Sequence, residues 1–461
     1  MDLLLALLPL GLAFALILSG RATIAQAGGV GALAALALAA EATGVPAAVD
    51  AALRGLWVAW FAISIILAGL FFQKAGLTAA PGVFAPPESV GQRGERARAF
   101  TAVFLLGVFV ESASGFGLGA VAAVAVLQAA NLAPIRTAAL ALLSLSLVPW
   151  GALAIGTGIA AGLTGLPITA IGVESALLSI PVLAAALVLF WRWAPGEAGP
   201  LTLLSEALWL AGLLALLWAA NALGAVEVAG VIAAGALFAV RWGIDRAAGR
   251  SALSAAPFAI FAVFIVTLRL VPGATPWLAG LWTIRPWADL PGFAPLAHAS
   301  LWLARGLDPR RIAGAGRIAL KAAWIPTAVT AGYVVLGEGM SAYGAPLRIA
   351  EAVTALLGDA AGFATPVFAA AAGWLTGSNA AAHGMLVELQ AAIGQAAGDD
   401  PLAAVSNQNV AASAYTMLSP MRVALVAAAV GLAGQETAIV RRLLPFALAV
   451  LIVGWAAAAL L

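Results

Sequence analysis

The stretch Glu111-Ser-Ala-Ser-Gly-Phe-Gly-Leu-Gly119 places one carboxylate, two hydroxyls and three glycines between apolar runs at 99–110 and 120–130. As a helix, each run covers only about half a bilayer, since ~20 residues are needed to cross one. Lipid satisfies no freed backbone groups, so a polar break at that depth must face protein or a water-filled cavity. The pattern predicts a helical hairpin that dips in and turns back at 114–117. Its tip would present backbone N–H groups, the hydroxyls of Ser112 and Ser114, and Glu111. An intramembrane carboxylate is costly and functional by default, which makes Glu111 the first candidate for carrying a proton. The plainer alternative is a structural acid bonded to the hairpin's own backbone.

A second polar island, Thr376-Gly377-Ser378-Asn379, lies between apolar runs at 362–375 and 380–393. Half-helix N-termini direct partial positive charge at an anion, and glycine lets the backbone approach it closely. Ser112, Ser114, Gly115, Gly117, Thr376, Gly377, Ser378 and Asn379 are therefore candidate substrate-binding residues. Isolated glycines such as Gly107 and Gly212 read instead as helix-packing positions.

Arg422, two residues after Pro420 in an otherwise apolar run, completes the binding set. A permanently charged guanidinium there needs an anionic partner, and its fork suits a carboxylate. Snorkelling to the interface and a fixed pair with Glu111 are the alternatives. His383, one turn past Asn379, carries the side chain that ordinarily titrates near neutrality and is a second proton-coupling candidate. A lone histidine also serves as a structural hydrogen-bonder.

Each island is followed by a long apolar segment broken by proline, at Pro149 and at Pro420, and then by Gly162-Leu-Thr-Gly165 or Gly431-Leu-Ala-Gly434. Hairpin, broken helix and small-residue exit thus occur twice. Paired interrupted segments in two halves point to a transporter binding site.

The chain is 64% hydrophobic and 9% charged, against roughly 25% charged in a soluble domain. No polar stretch is long enough for a soluble domain. A net charge of +2 gives no reason to expect a nucleic-acid partner, and the absence of cysteine excludes disulfides and thiolate metal sites. With two histidines, a multi-histidine metal centre is not expected. Residues 3–18 lack a basic flank and read as a retained span rather than a signal peptide. There is no nucleotide-binding loop, no serine–histidine arrangement and no paired aspartates, so neither ATP drive nor an intramembrane enzyme is expected. A proton-translocating subunit of a redox complex would need midplane lysines, but Lys74 and Lys321 are the only two and fall in basic stretches.

The expected fold is an all-α polytopic membrane protein of roughly twelve spans, in one domain over 1–461. A first repeat at 50–195 holds a hairpin at 99–130 and a broken helix at 137–159. A second at 305–445 holds a hairpin at 362–395 and a broken helix at 403–433. Trp277–Trp287 reads as interfacial, 305–321 as a basic loop, 339–357 as an amphipathic surface helix, and Arg441-Arg442 as a turn. Placing the arginine-rich connections inside leaves 41–50 and Asp399-Asp400 outside. The two hairpins then enter from opposite faces and their tips meet near the midplane.

Several blocks carry a resemblance. Residues 111–117 resemble the Glu-Gly-x-x-Gly-Phe-Gly signature of the bacterial L-lactate/glycolate permease family. Leu375-Thr-Gly-Ser-Asn379, Leu389-Gln390, Met417-Leu-Ser-Pro420 and Gly431–Glu436 are similar to its C-terminal blocks. With the approach at 93–99, the resemblance spans most of 50–445. It implies proton-coupled import of small 2-hydroxymonocarboxylates such as lactate or glycolate across the bacterial inner membrane, and no cofactor. More loosely, it implies the inverted-repeat ion-transporter superfamily, often homodimeric. Na⁺ coupling and a dicarboxylate substrate stay open. The departures fall at the expected site. Family Asn-Thr-Ala-Pro is here Ser146-Leu-Val-Pro149, Thr-Ser-Ser-Asn is Ala380-Ala-Ala-His383, and Gln-Asn after the second proline is Met421-Arg422.

Overall fold

The computed structural model describes residues 2–79, 92–130, 132–247, 256–271, 294–307 and 312–460, with Gly273, Ala274, Leu290 and Arg310. The expected interfacial segment Trp277–Trp287 lies outside the described residues, and the stretch 241–250, expected from its charge to be a basic loop, is helical in α11 (Ala229–Ala247) as far as Ala247 and lies outside them beyond it. Every regular element among the described residues is helical, as the long apolar runs require. Nine helices there are long and apolar enough to cross a membrane, or up to eleven if each of two bent pairs is one span.

Three helices open the chain: α1 (Leu3–Leu18), α2 (Ile24–Thr43) and α3 (Val45–Ala79). Thr23 and Gln26 form a capping box that fixes the start of α2. The first hairpin then rises through α4 (Gln92–Phe100), a π-helical stretch Thr101–Leu106 and α5 (Gly107–Ser114), turns at 115–117, and descends as α6 (Leu118–Leu127). A Cβ at Gly119 would overlap the Gly107 carbonyl oxygen, so the two arms cross backbone to backbone. Gly107 has the packing role expected of it.

The first broken helix is α7 (Pro134–Leu143) followed by α8 (Gly151–Thr164), bent by 61°. Ala152, Leu153 and Ala154 hold left-handed φ of 48°, 58° and 55° at the break. The first half ends in α9 (Ile168–Trp193), α10 (Pro200–Ala222), α11 (Ala229–Ala247) and α12 (Ala256–Leu270).

The second half comprises α13 (Pro295–Leu307), α14 (Ile312–Ala342) and α15 (Ala345–Leu357), then the second hairpin, α16 (Thr365–Thr376) and α17 (Asn379–Ala397). α18 (Pro401–Thr416) and α19 (Pro420–Ala429) form its broken helix, and α20 (Glu436–Leu460) follows. Here Pro420 takes the first helical position, which its ring suits, with Ser419 as N-cap.

Three expectations are corrected. The stretch 305–321 is helical at both ends: Arg305 to Leu307 close α13, and α14 begins at Ile312 and carries Arg317 and Lys321 on exposed positions. Long basic side chains reach water from a helix face, so charge does not end the helix. The surface helix begins at Ala345, after the left-handed Gly344, and 339–342 belong to α14. Arg441 and Arg442 lie inside α20 rather than at a turn, and Arg442 stacks over the Trp193 ring at 5.3 Å.

Packing sorts the helices into two groups. α14 lies chiefly against α2 and α3, and α13 also packs on α3. The hairpins pack on the broken helices: α16 and α17 on α18, α17 also on α8, and α5 on α8. Where α17 meets α14, a Cβ on Gly337 would overlap the Gly384 carbonyl, so that crossing is also backbone-close.

Candidate functional site

Both polar islands form turns between helices, and the turns converge. At the first tip Gly115, Phe116 and Gly117 hold φ of 73°, 62° and 79°. Gly115 rests on the left-handed turn of the first broken helix, where a Cβ would stand 2.6 Å from that of Ala152. At the second tip Gly377 (φ 62°) rests on the break before α19, where a Cβ would lie 2.7 Å from Ser419 Oγ. Each hairpin tip therefore seats on the discontinuity of its own half.

Glu111 holds the first tip together. Its Oε1 accepts from the Gly117 N–H and its Oε2 from the Gly119 N–H, both at 3.2 Å. These are donors of the first turn of α6, which the carboxylate caps. Arg422 then joins the halves. Its Nη1 donates to Glu111 Oε1 at 3.2 Å, and its Nε to the Gly377 carbonyl oxygen at 3.1 Å. Both side chains are buried, 6% exposed for Arg422 and 3% for Glu111. The ion pair and the backbone bonds to Glu111 thus occur together. Nη2 of Arg422 donates to none of the described residues.

A cavity of about 680 Å³ opens beside this pair. Glu111, Gly115, Thr376, Gly377, Ser378, Asn379 and Arg422 reach it from the tips and α19, with Gly151, Ala152 and Gly156 from the first broken helix. Its far side is formed by the start of α2, by Ile66 and Leu70 of α3, and by α14 around Pro326. Among its lining residues Arg422 is the one cation and Glu111 the one acid.

Other predicted residues fall elsewhere. Ser114 Oγ donates to the Val110 carbonyl at 2.6 Å and does not line the cavity. Ser112 points away from it, against Gly230 of α11. Gly117 reaches the site through its N–H to Glu111. Pro149 sits in the short 3₁₀ turn before α8, where its carbonyl accepts from Thr157 Oγ1 at 2.8 Å. Thr376 Oγ1 donates back to the Ala372 carbonyl, and Ser378 Oγ caps α17 through the Ala381 N–H.

His383 is buried and does not line the cavity. Its Nε2 lies 3.0 Å from Asn409 Oδ1, which also accepts from Asn379 Nδ2 at 2.9 Å. Asn409 Nδ2 donates to Thr157 Oγ1 at 3.1 Å and Ser175 Oγ at 3.0 Å. That orients the amide, so the imidazole carries its proton on Nε2. Nδ1 then faces Gln408 Nε2 at 3.5 Å, an amide nitrogen that also donates to the Ala382 carbonyl. A second ring proton would set donor against donor. This neutral network ties α17, α18, α8 and α9 together behind the second tip. Sequence reasoning missed it, although Ser406-Asn-Gln-Asn409, four polar residues in succession inside an apolar span, is a legible signal.

A family model described as L-lactate permease matches residues 300–461. Over that stretch the chain is similar to L-lactate permeases. The matched part holds the second hairpin, its broken helix and Arg422, while Glu111 and the first tip lie before it. A search of curated proteins finds no match to the chain. The matched family is one of transporters and not of enzymes, and that match, with nine or more apolar helices among the described residues, supports an integral membrane protein. In such a protein, the cavity between two hairpin tips is where a polar solute would be held.

Proposed function

We propose that the protein imports a small organic monocarboxylate, of the 2-hydroxy acid class, across the bacterial inner membrane together with a proton. The observation that carries this reading is Arg422: a buried guanidinium between the two tips, lining the cavity, with Nη2 free of any bond to the described residues. Buried arginine is suited to binding a carboxylate in a low-dielectric site. A dicarboxylate would need a second cation, and the cavity lining supplies none among the described residues.

Coupling follows from the shared guanidinium. In the empty site Arg422 and Glu111 neutralise each other. An incoming carboxylate competes for Arg422, and Glu111, losing its cation in a water-poor site, takes up a proton. The loaded site then holds one cation, one anionic substrate and one neutral acid, so it carries no more net charge than the empty one. Movement across the membrane is thereby spared a charge penalty. His383, held neutral by Asn409 and Gln408, is assigned to structure instead.

A second reading rests on Asn379. Its Oδ1 is buried without a hydrogen-bond partner among the described residues, in a side chain that lines the cavity. Such an oxygen suits Na⁺ as well as a substrate hydroxyl. Purified protein in liposomes, given labelled lactate, glycolate or malate under a proton or a sodium gradient alone, tests both readings. Accumulation of a monocarboxylate driven by the proton gradient is expected. Accumulation under sodium alone contradicts proton coupling, and preference for malate contradicts the substrate class.

A further inference from the structure

The cavity is large and its wall is apolar, although the ligand proposed above is a short polar acid. At about 680 Å³ it falls within the roughly 300–1,000 Å³ of pockets that enclose drug-sized ligands. A three-carbon acid paired with Arg422 would leave most of it to water against hydrocarbon. Its apolar lining includes Ile66 and Leu70 of α3, Ile325 and Val329 of α14, and Leu425 of α19.

Val148, Ala380 and Met421 add to this apolar lining, with the fixed cation of Arg422 beside them. A site with one cation and a wide apolar wall is matched to a ligand with one charged end and a hydrocarbon body.

We infer that the preferred substrate is a monocarboxylate bearing an apolar tail, such as a medium-chain or aryl 2-hydroxy acid, with the carboxylate on Arg422 and the tail along α3 and α14. This rests on the carboxylate reading of Arg422 and specifies what else the ligand must carry. A hydrophobic pocket rejects a missing methylene only weakly, so lactate still binds, less tightly.

The test is equilibrium binding to the full chain in nanodiscs, by titration calorimetry, with lactate, 2-hydroxyhexanoate, 2-hydroxyoctanoate and 3-phenyllactate. The neutral 1,2-octanediol and Arg422→Gln protein serve as controls for partition into lipid. Affinity is expected to rise by about fourfold per methylene over the first few carbons, with no binding of the diol and none of any acid to Arg422→Gln. The paired variant Ala380→Thr with Met421→Gln should flatten that slope. If lactate binds and lengthening the tail leaves affinity unchanged or lowers it, the tail inference is wrong and the carboxylate reading stands. If no acid binds the wild-type chain, the carboxylate reading fails and takes this inference with it. A slope unaltered in the paired variant also counts against the wall as its source.

Discussion

The two hairpin tips are built to one plan and solved with different chemistry. The first tip is held by a charge: Glu111 closes it through the Gly117 and Gly119 N–H groups and needs Arg422 to offset its own ionisation. The second tip is held by neutral groups, with Ser378 capping α17 and Asn379, His383 and Asn409 bonded behind it. The breaks beneath them differ as well. The first is a 61° bend through three left-handed residues, whereas α18 and α19 run on as one span, Pro401–Ala429. Left-handed turns in residues with a Cβ cost about 1–3 kcal/mol each and persist where surrounding structure enforces them. The titratable, strained half and the neutral half meet at one side chain, Arg422. The proposed function turns this contrast into a division of labour, with the first half assigned to the proton and the second to keeping its shape.

The largest effect should come from removing that link. Arg422→Gln leaves Glu111 buried without its cation, which costs about 3–5 kcal/mol where a buried pair is broken. Binding of any carboxylate should be lost, and the melting temperature should fall. Arg422→Lys keeps the charge but not the fork and should still weaken transport strongly. Arg422→Asn removes the cation as glutamine does and should likewise lose carboxylate binding. Wild-type uptake with an unchanged substrate order in both the lysine and asparagine variants would remove Arg422 from the site.

A mid-sized effect should separate the halves. His383→Gln deletes one member of the neutral network and leaves Asn409 underbonded, at about 1–3 kcal/mol of stability. It should lower the thermal midpoint in detergent while uptake driven by a pH gradient survives. Loss of that driven uptake with exchange intact would transfer the coupling role to His383 and erase the contrast between the tips.

The smallest effect belongs to the serines of the first tip. Ser114 Oγ is engaged with the Val110 carbonyl, and Ser112 faces Gly230. Ser114→Ala should therefore change substrate affinity by less than about twofold, within the roughly ±0.5 kcal/mol of a change that touches no ligand. Asn379→Leu, by contrast, should abolish binding, because that side chain lines the cavity. Equal losses in the two variants would mean that the first tip contributes its hydroxyl after all.

Much of this arrangement is legible in the sequence, because lipid punishes polar residues that have no reason to be there. Glu111, Gly377 and Arg422 each stand out against an apolar background, and each reaches the cavity. The boundaries of α14 and α20 were not legible, because basic residues on a helix end look like a loop when only charge is counted. The pairing of Arg422 with Glu111 spans 311 positions and could be stated only as one alternative among three. The buried Arg96–Glu206 pair, at 2.8 and 3.0 Å, fixes α4 to α10 in the same way. In the sequence Arg96 is merely one arginine of a basic stretch.

The central claim is that Glu111 releases Arg422 to the substrate and takes a proton in exchange, so the decisive measurement is transport by Glu111→Gln. Glutamine keeps an acceptor for the tip N–H groups and imitates the protonated acid permanently. In liposomes loaded with unlabelled substrate, exchange of labelled substrate should continue at a comparable rate. With only a pH gradient imposed, accumulation should vanish. Sustained accumulation by Glu111→Gln under that gradient would contradict the account.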